Sequence, residues 1–244
     1  MWADLSNKVI LVTGAGAGIG QALVQQLAKV GATVIAVARN EQQLQELVAF
    51  DKEHIKPLLL DLSDWENVHK VLSSKQVPQL DGLVNNAGVA IIKPFEQLSE
   101  ADFDTHFDVN IKAVFSVTQA LLPKLRDGST IVNVSSIAAS RSFAGHTAYS
   151  ATKAAVDSLT KSLALELGPR RIRVNSVNPT VVLTRMGRDN WSEPSKSGPL
   201  LAHIPLNRFC EVHEVTDAIG YLLSEKSSFV NGHHINLEGG YSVS

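Results

Sequence analysis

Six short apolar runs, separated by longer segments whose apolar residues recur every three or four positions, constrain this 244-residue chain more than any other feature. "KVILVTG" at 8–14, "TVIAVAR" at 33–39, "KPLLLDL" at 56–62, "LDGLVNNAG" at 80–88, "STIVNVSS" at 129–136 and "IRVNSVNP" at 172–179 lack the in–out alternation of half-exposed strands. They read as strands buried on both faces, the pattern of a parallel sheet covered by helices on each side. "GHHINLEGG" at 232–240 reads as one more strand. Between them, segments 20–31, 41–50, 65–74, 102–125, 149–167 and 212–224 carry helical periodicity. This βαβ rhythm predicts an α/β fold, a doubly wound Rossmann-type three-layer sandwich around a mostly parallel sheet of about seven strands. No linker, repeat or low-complexity tract divides the chain, so 1–244 is expected to form a single domain. Residues 185–205, "RMGRDNWSEPSKSGPLLAHIP", break the rhythm with no clean period. Placed after the sixth strand, they are expected to be irregular, either a substrate loop that closes as a lid or a surface loop without a role.

Bulk properties remove several function classes. With 22 basic against 24 acidic residues the chain has no broad positive field, so nucleic acid is not an expected partner. The N-terminal "MWADLSNKVILVTG" lacks the charged and apolar regions of a leader, and no run of about 18 apolar residues exists, which points to a soluble cytoplasmic protein without membrane insertion. Cys210, the lone cysteine, cannot form an intrachain disulfide and reads as a small buried apolar residue. The histidines show no grouping that suits a metal, and His233 and His234 adjoin on a strand, pointing to opposite faces.

"TGAGAGIG" directly follows the first strand and leads into a helix, placing Gly14, Gly18 and Gly20 at the turn. Glycines there allow a tight turn and close approach of the backbone to a pyrophosphate, whose charge the helix N-terminus stabilises. At the end of the second strand, where an NAD site would carry a carboxylate, stand Ala38 and Arg39. Loss of the carboxylate and gain of a planar guanidinium favour a 2′-phosphate, hence NADP(H), unless Arg39 only points into solvent. In "GHTAYSATKAA", Tyr149 and Lys153 stand at i and i+4 and share a helix face. A nearby ammonium is expected to draw the phenol's pKa below its usual value of about 10.

"TGAGAGIG", "NNAG" at 85–88, "NVSS" at 133–136 and "YSATK" at 149–153, in this order, resemble the classical short-chain dehydrogenase/reductase family along essentially the whole chain. The resemblance implies that Tyr149 donates the proton to a substrate carbonyl, or accepts it from an alcohol. It implies that Lys153 tunes that tyrosine and holds the nicotinamide ribose, that Ser136 steadies the carbonyl oxygen, and that Asn110 helps hold a water beside the lysine. A purely structural hydrogen bond is the other reading of Asn110. The resemblance further places Ile19, Asn86, Ala87, Gly88, Pro179, Val182 and Thr184 along the cofactor, with Asp61 and Leu62 beside the adenine. Asp61 could instead cap a turn.

"HTAYSATK", "DNWSEP", "IPLNRF" and the Pro179–Thr180 pair are most similar to the dicarbonyl and L-xylulose reductase branch, which implies NADPH-dependent reduction of α-dicarbonyls and certain sugars by a homotetramer. Ile137 stands where that branch carries glutamine, a loss of polarity in the expected pocket. Phe143, His146 and Trp191 are expected to face the substrate with Ser136, Ile137 and Tyr149, although His146 and Trp191 have structural readings as well. Two rivals remain: an NADP-linked enzyme for steroid or 3-oxoacyl substrates, and a non-catalytic NADPH-binding scaffold.

Overall fold

The strand-forming runs assemble in the computed structural model, which describes residues 2–244, Lys196 by its backbone alone, into one seven-stranded sheet. In chain order the strands are β1 (Val9–Thr13), β2 (Thr33–Ala38), β3 (Ile55–Leu59), β4 (Leu80–Asn85), β5 (Leu125–Val134), β6 (Arg173–Pro179) and β7 (His234–Leu237). Their order across the sheet is β3-β2-β1-β4-β5-β6-β7, and every adjacent pair is parallel. The winding reverses between β1 and β4, and the crevice beyond the carboxyl ends of these two strands is where open α/β sheets bind ligands.

Helices α1 (Gly18–Lys29), α2 (Glu41–Phe50), α3 (Trp65–Leu72), α4 (Glu100–Phe107), α5 (Ala113–Leu121), α6 (Thr147–Leu167) and α9 (Val212–Leu223) surround the sheet. Because strand residues alternate faces, Ile10 and Val12 of β1 join one core with Leu23 and Leu27 of α1 and Ile219 of α9. Leu11, between them, joins the other with Leu72 of α3 and Leu121 of α5. Burial of side chains such as Leu23, Leu27 and Leu121, each worth about 1.5–3 kcal/mol, fixes the helices on the two faces.

The structure corrects the sequence expectations in several places. The run 56–62 is not buried on both faces: β3 is a sheet edge, with Lys56 and Pro57 exposed and Leu59 54% exposed. An edge is where a proline, lacking a donor, is tolerated. Segment 102–125 is not one regular helix, since a π-helical turn over Asp108–Lys112 separates α4 from α5, and Leu125 already begins β5. Residues 185–205 are not irregular. They form α7 (Arg185–Trp191) and α8 (Pro194–Ala202), α7 started by the Thr184 side chain, which accepts from Gly187 N at 3.2 Å, and α8 by Pro194 in its first turn. Among the described residues no helix is long and apolar enough to cross a membrane.

Candidate active site

Thr13, the last residue of β1, sets the crevice. Its hydroxyl accepts from the backbone N–H groups of Asn86 (3.0 Å) and Ala87 (3.1 Å), while the Asn86 amide donates to the carbonyls of Thr13 (3.0 Å) and Gly14 (3.1 Å). The "NNAG" turn after β4 is thereby locked to the glycine turn after β1. Gly14 adopts φ +63°, and a Cβ there would stand 2.8 Å from Ala87 Cα, so only glycine fits. A Cβ on Gly20 would meet the Gly14 carbonyl at 2.3 Å. α1 begins at Gly18 with no side-chain cap and no acidic residue in its first turn, leaving its first amides available to an anion.

Ser136 follows β5, and its hydroxyl accepts from Ala138 N (3.1 Å) and lies 3.4 Å from the Pro179 carbonyl at the end of β6. Tyr149 and Lys153 stand one turn apart on α6, as the spacing predicts. Lys153 is 4% exposed; its ammonium donates to the Val134 carbonyl at 2.8 Å and lies 5.6 Å from the Tyr149 ring centroid. Burial brings the lysine down to about 8, partly offset by the negative charge of Asp157. The expected lowering of the tyrosine is overturned in the protein alone: burial pushes the Tyr149 phenol up, and the opposing influence is its hydrogen bond with Ser136. Desolvation disfavours the charged form of both groups, and it outweighs the attraction that spacing alone suggested.

Asn110 lies in the π-helical turn, a type of distortion frequent at functional sites. Fully buried, it accepts from Val89 N (2.8 Å) and donates to Val89 O (2.9 Å) and Thr152 Oγ1 (3.2 Å). It therefore clamps the backbone of the loop that carries one wall of the crevice. Opposite, the His146 ring, pinned by its Nδ1–H to the Ala144 carbonyl at 2.9 Å, packs 5.5 Å from Phe143, 6.1 Å from Tyr149 and 6.2 Å from Trp191 of α7. Burial lowers its pKa, which keeps the ring neutral at physiological pH. Ile137 is 1% exposed beneath this aromatic group.

One cavity of about 340 Å³ joins these parts, running from Gly14, Gly18 and Ile19 past Asn86–Gly88 to Ser136, Tyr149 and Lys153, then under Pro179, Val182 and Thr184. Ile137, Phe143, His146 and Trp191 line it as well. A nicotinamide dinucleotide fits this donor set: an uncapped helix start at one end, a side-chain-free turn, and a hydroxyl pair with an ammonium at the other. Gly20, Arg39, Asp61, Leu62 and Asn110 do not line the cavity. Gly20 sits beneath the turn, and Arg39 is exposed just after β2. The Asp61 carboxylate caps its own turn, accepting from Ser63 N (3.0 Å) and Ser63 Oγ (2.8 Å), bonds that lower its pKa with a smaller contribution from the Arg39 charge. Leu62 packs against the core. Cys210 is half-buried rather than core, and burial raises its thiol to about 12, which leaves it unreactive.

The family model described as "Enoyl-(Acyl carrier protein) reductase" matches residues 14–242. The L-xylulose reductase of Mesocricetus auratus is 46% identical over 243 residues, covering 98% of each chain. The chain is a short-chain dehydrogenase/reductase. This short-chain dehydrogenase/reductase is also 43% identical to carbonyl reductase [NADPH] 2 of Sus scrofa over the full length of both chains. Among solved structures it resembles a protein described as an NAD(P)-dependent gluconate 5-dehydrogenase from Beutenbergia cavernae, with bound NADP at low occupancy. That resemblance has a TM-score of 0.90 and 28% identity, and it covers all of both chains.

Three contributors to this dehydrogenase site escaped the sequence reading. Thr13 sits unmarked inside the strand run, and Asn178 reads as one more strand residue. His106, fully buried, donates from Nδ1 to the Asp102 carbonyl (2.7 Å) and accepts from Ile91 N at Nε2 (3.0 Å), bracing the loop that Asn110 clamps. A polar residue inside an otherwise apolar segment was the available signal, and it says nothing about which partner is met.

Proposed function

We propose that this short-chain dehydrogenase/reductase reduces small carbonyl compounds, α-dicarbonyls and sugars such as L-xylulose, with NADPH, as a cytoplasmic homotetramer. The observation that carries the reading is the convergence of Ser136, Tyr149 and Lys153 on the wall of a cavity continuous with the glycine turn. Its relatives, named for L-xylulose and for NADPH-dependent carbonyl reduction, support the substrate class and the cofactor.

In this reading the uncapped start of α1 and the bare turn at Gly14 bind the pyrophosphate, and Arg39 binds the 2′-phosphate. The bound cofactor supplies the hydride. Ser136 holds the carbonyl oxygen, and Tyr149 gives that oxygen its proton as negative charge develops there. A phenol kept protonated by burial suits the role of acid in the reducing direction. Lys153 orients the ribose and stabilises the tyrosinate left behind. Asn110 keeps the cavity wall in place through Val89, while Trp191 and His146 shelter the reacting carbon from water.

A second reading has one observation in its favour. The wall formed by Ile137, Phe143 and Trp191 is apolar, which suits a steroid or 3-oxoacyl carbonyl better than a polyol. Kinetics with diacetyl, L-xylulose, a steroid ketone and a 3-oxoacyl thioester, each with NADPH and NADH, separate the readings. Turnover of diacetyl and L-xylulose with NADPH is expected. Turnover of the steroid alone, or a preference for NADH, would overturn the proposal.

A further inference from the structure

One turn beyond Lys153 on the same face of α6 lies Asp157, a mostly buried carboxylate that the proposed mechanism does not use. Its Oδ2 accepts from Asn178 Nδ2 at 2.8 Å, and that same amide nitrogen lies 3.3 Å from the backbone carbonyl of Ser136. Asn178 is 1% exposed, and its Oδ1 accepts from the Ser176 hydroxyl at 2.6 Å. With that proton committed, Ser176 accepts from His234 Nδ1–H at 2.7 Å. Asp157 Oδ1 is buried with no hydrogen-bond partner and lies 3.8 Å from His234 Nδ1. A buried carboxylate oxygen without a donor is costly unless a charge compensates for it. The titratable groups that feel its charge are Lys153 on α6 and His234 on β7, with the uncharged Ser176 and Asn178 on β6 beside them; Lys161 on α6 and His233, just before β7, act in turn on His234. Of these, His234 is held toward its neutral form by burial. Lys153 is the cation buried with the carboxylate.

We propose that Asp157 is a positioning residue that acts through Lys153, its charge keeping that buried lysine protonated while Asn178 ties it to the Ser136 turn. The inference rests on the roles given above to Tyr149 and Lys153, and it adds a source for the lysine's charge. Burial acts to strip Lys153 of its proton, and the negative charge of Asp157, one helical turn away on the same face, opposes that loss. The requirement is specific to charge: an amide of the same shape keeps the Asn178 contact and loses the effect.

The test is a titration of the cofactor-free protein carrying ¹³C-labelled lysine, the Lys153 signal being assigned by its absence in Lys153→Met, together with pH profiles of kcat/KM. In Asp157→Asn the Lys153 midpoint is expected to fall by about half a pH unit or more, with Asp157→Glu retaining the wild-type midpoint. The deficit in kcat/KM should be small at acidic pH and widen to roughly threefold to tenfold on the alkaline side. His234→Gln should leave the alkaline limb in place. If Asp157→Asn does not fold, Asp157→Ala removes the same charge and reads the same midpoint. An unmoved Lys153 midpoint overturns the proposal, as does an activity loss of the same factor at every pH, which a merely structural role would give. Because the lysine titration needs no turnover, it reports on Asp157 even if Tyr149 proves not to be the proton donor.

Discussion

Lys153 and Tyr149 are each pushed toward the uncharged form by burial, and this has consequences for stability as well as chemistry. Lys153 binds its proton more weakly in the fold, at about 8, than at its ordinary 10.5. Between those values the unfolded chain holds more protons than the native one, so this group makes the protein more stable as pH rises through that window. Lys153→Met should therefore lose stability relative to wild type as pH rises from 8 toward 10.5, by about 1–2 kcal/mol across that window in urea unfolding, separately from the cost of leaving the Asp157 carboxylate without its cation. A stability difference that did not change between pH 8 and 10.5 would contradict the weakened proton binding of the buried lysine. Arg39 belongs to the same scale. Exposed after β2, it is free to meet a 2′-phosphate, so Arg39→Ala should weaken NADPH binding by about tenfold or more in a fluorescence titration and NADH by much less. Equal losses would mean that the side chain only points into solvent.

At the scale of elements, the glycine turn and the α4–α5 segment show what a sequence does and does not disclose. The turn was legible because a side-chain-free position leaves a mark in the residue type itself: Gly14 at φ +63° against Ala87 admits nothing larger. The π-helical turn at Asp108–Lys112 was not, because one extra residue in a helix leaves the apolar period nearly intact. Residues 185–205 misled for a related reason. Their Pro and Gly positions read as breaks, yet Pro194 starts α8 and Pro199 is carried inside it. The structural value of the π turn can be measured. Asn110→Ala leaves the half-buried Val89 N–H and carbonyl without their partners, which should cost about 1 kcal/mol or more in thermal or urea unfolding and lower kcat through the displaced wall. Full stability and full turnover in that variant would remove Asn110 from the account.

For the whole molecule, the sheet and its two cores were readable because hydrophobic period is a property of every strand and helix at once. Which faces remain open was less so: β3 carries the same apolar run as the interior strands, and only topology makes it an edge. The site was legible where residue type and spacing are themselves chemical, as at Ser136, Tyr149 and Lys153. It was illegible where burial sets the charge state, because desolvation of Tyr149 and Lys153 depends on residues brought in from distant parts of the chain rather than on the i, i+4 spacing. Phe115 on α5 and Leu165 on α6 are 45% and 81% exposed, apolar surface consistent with the proposed tetramer. Light scattering should give four times the 26.3 kDa chain mass, and Leu165→Glu should reduce it if α6 is the contact. A monomer at micromolar concentration would refute the assembly.

The central claim is that Tyr149 delivers the proton, and Tyr149→Phe tests it most directly, with turnover of diacetyl and the NADPH dissociation constant measured on the same preparation. The account expects turnover to fall by a factor of about a hundred or more while the dissociation constant changes little. Turnover within a few fold of wild type, with cofactor still bound, would contradict it.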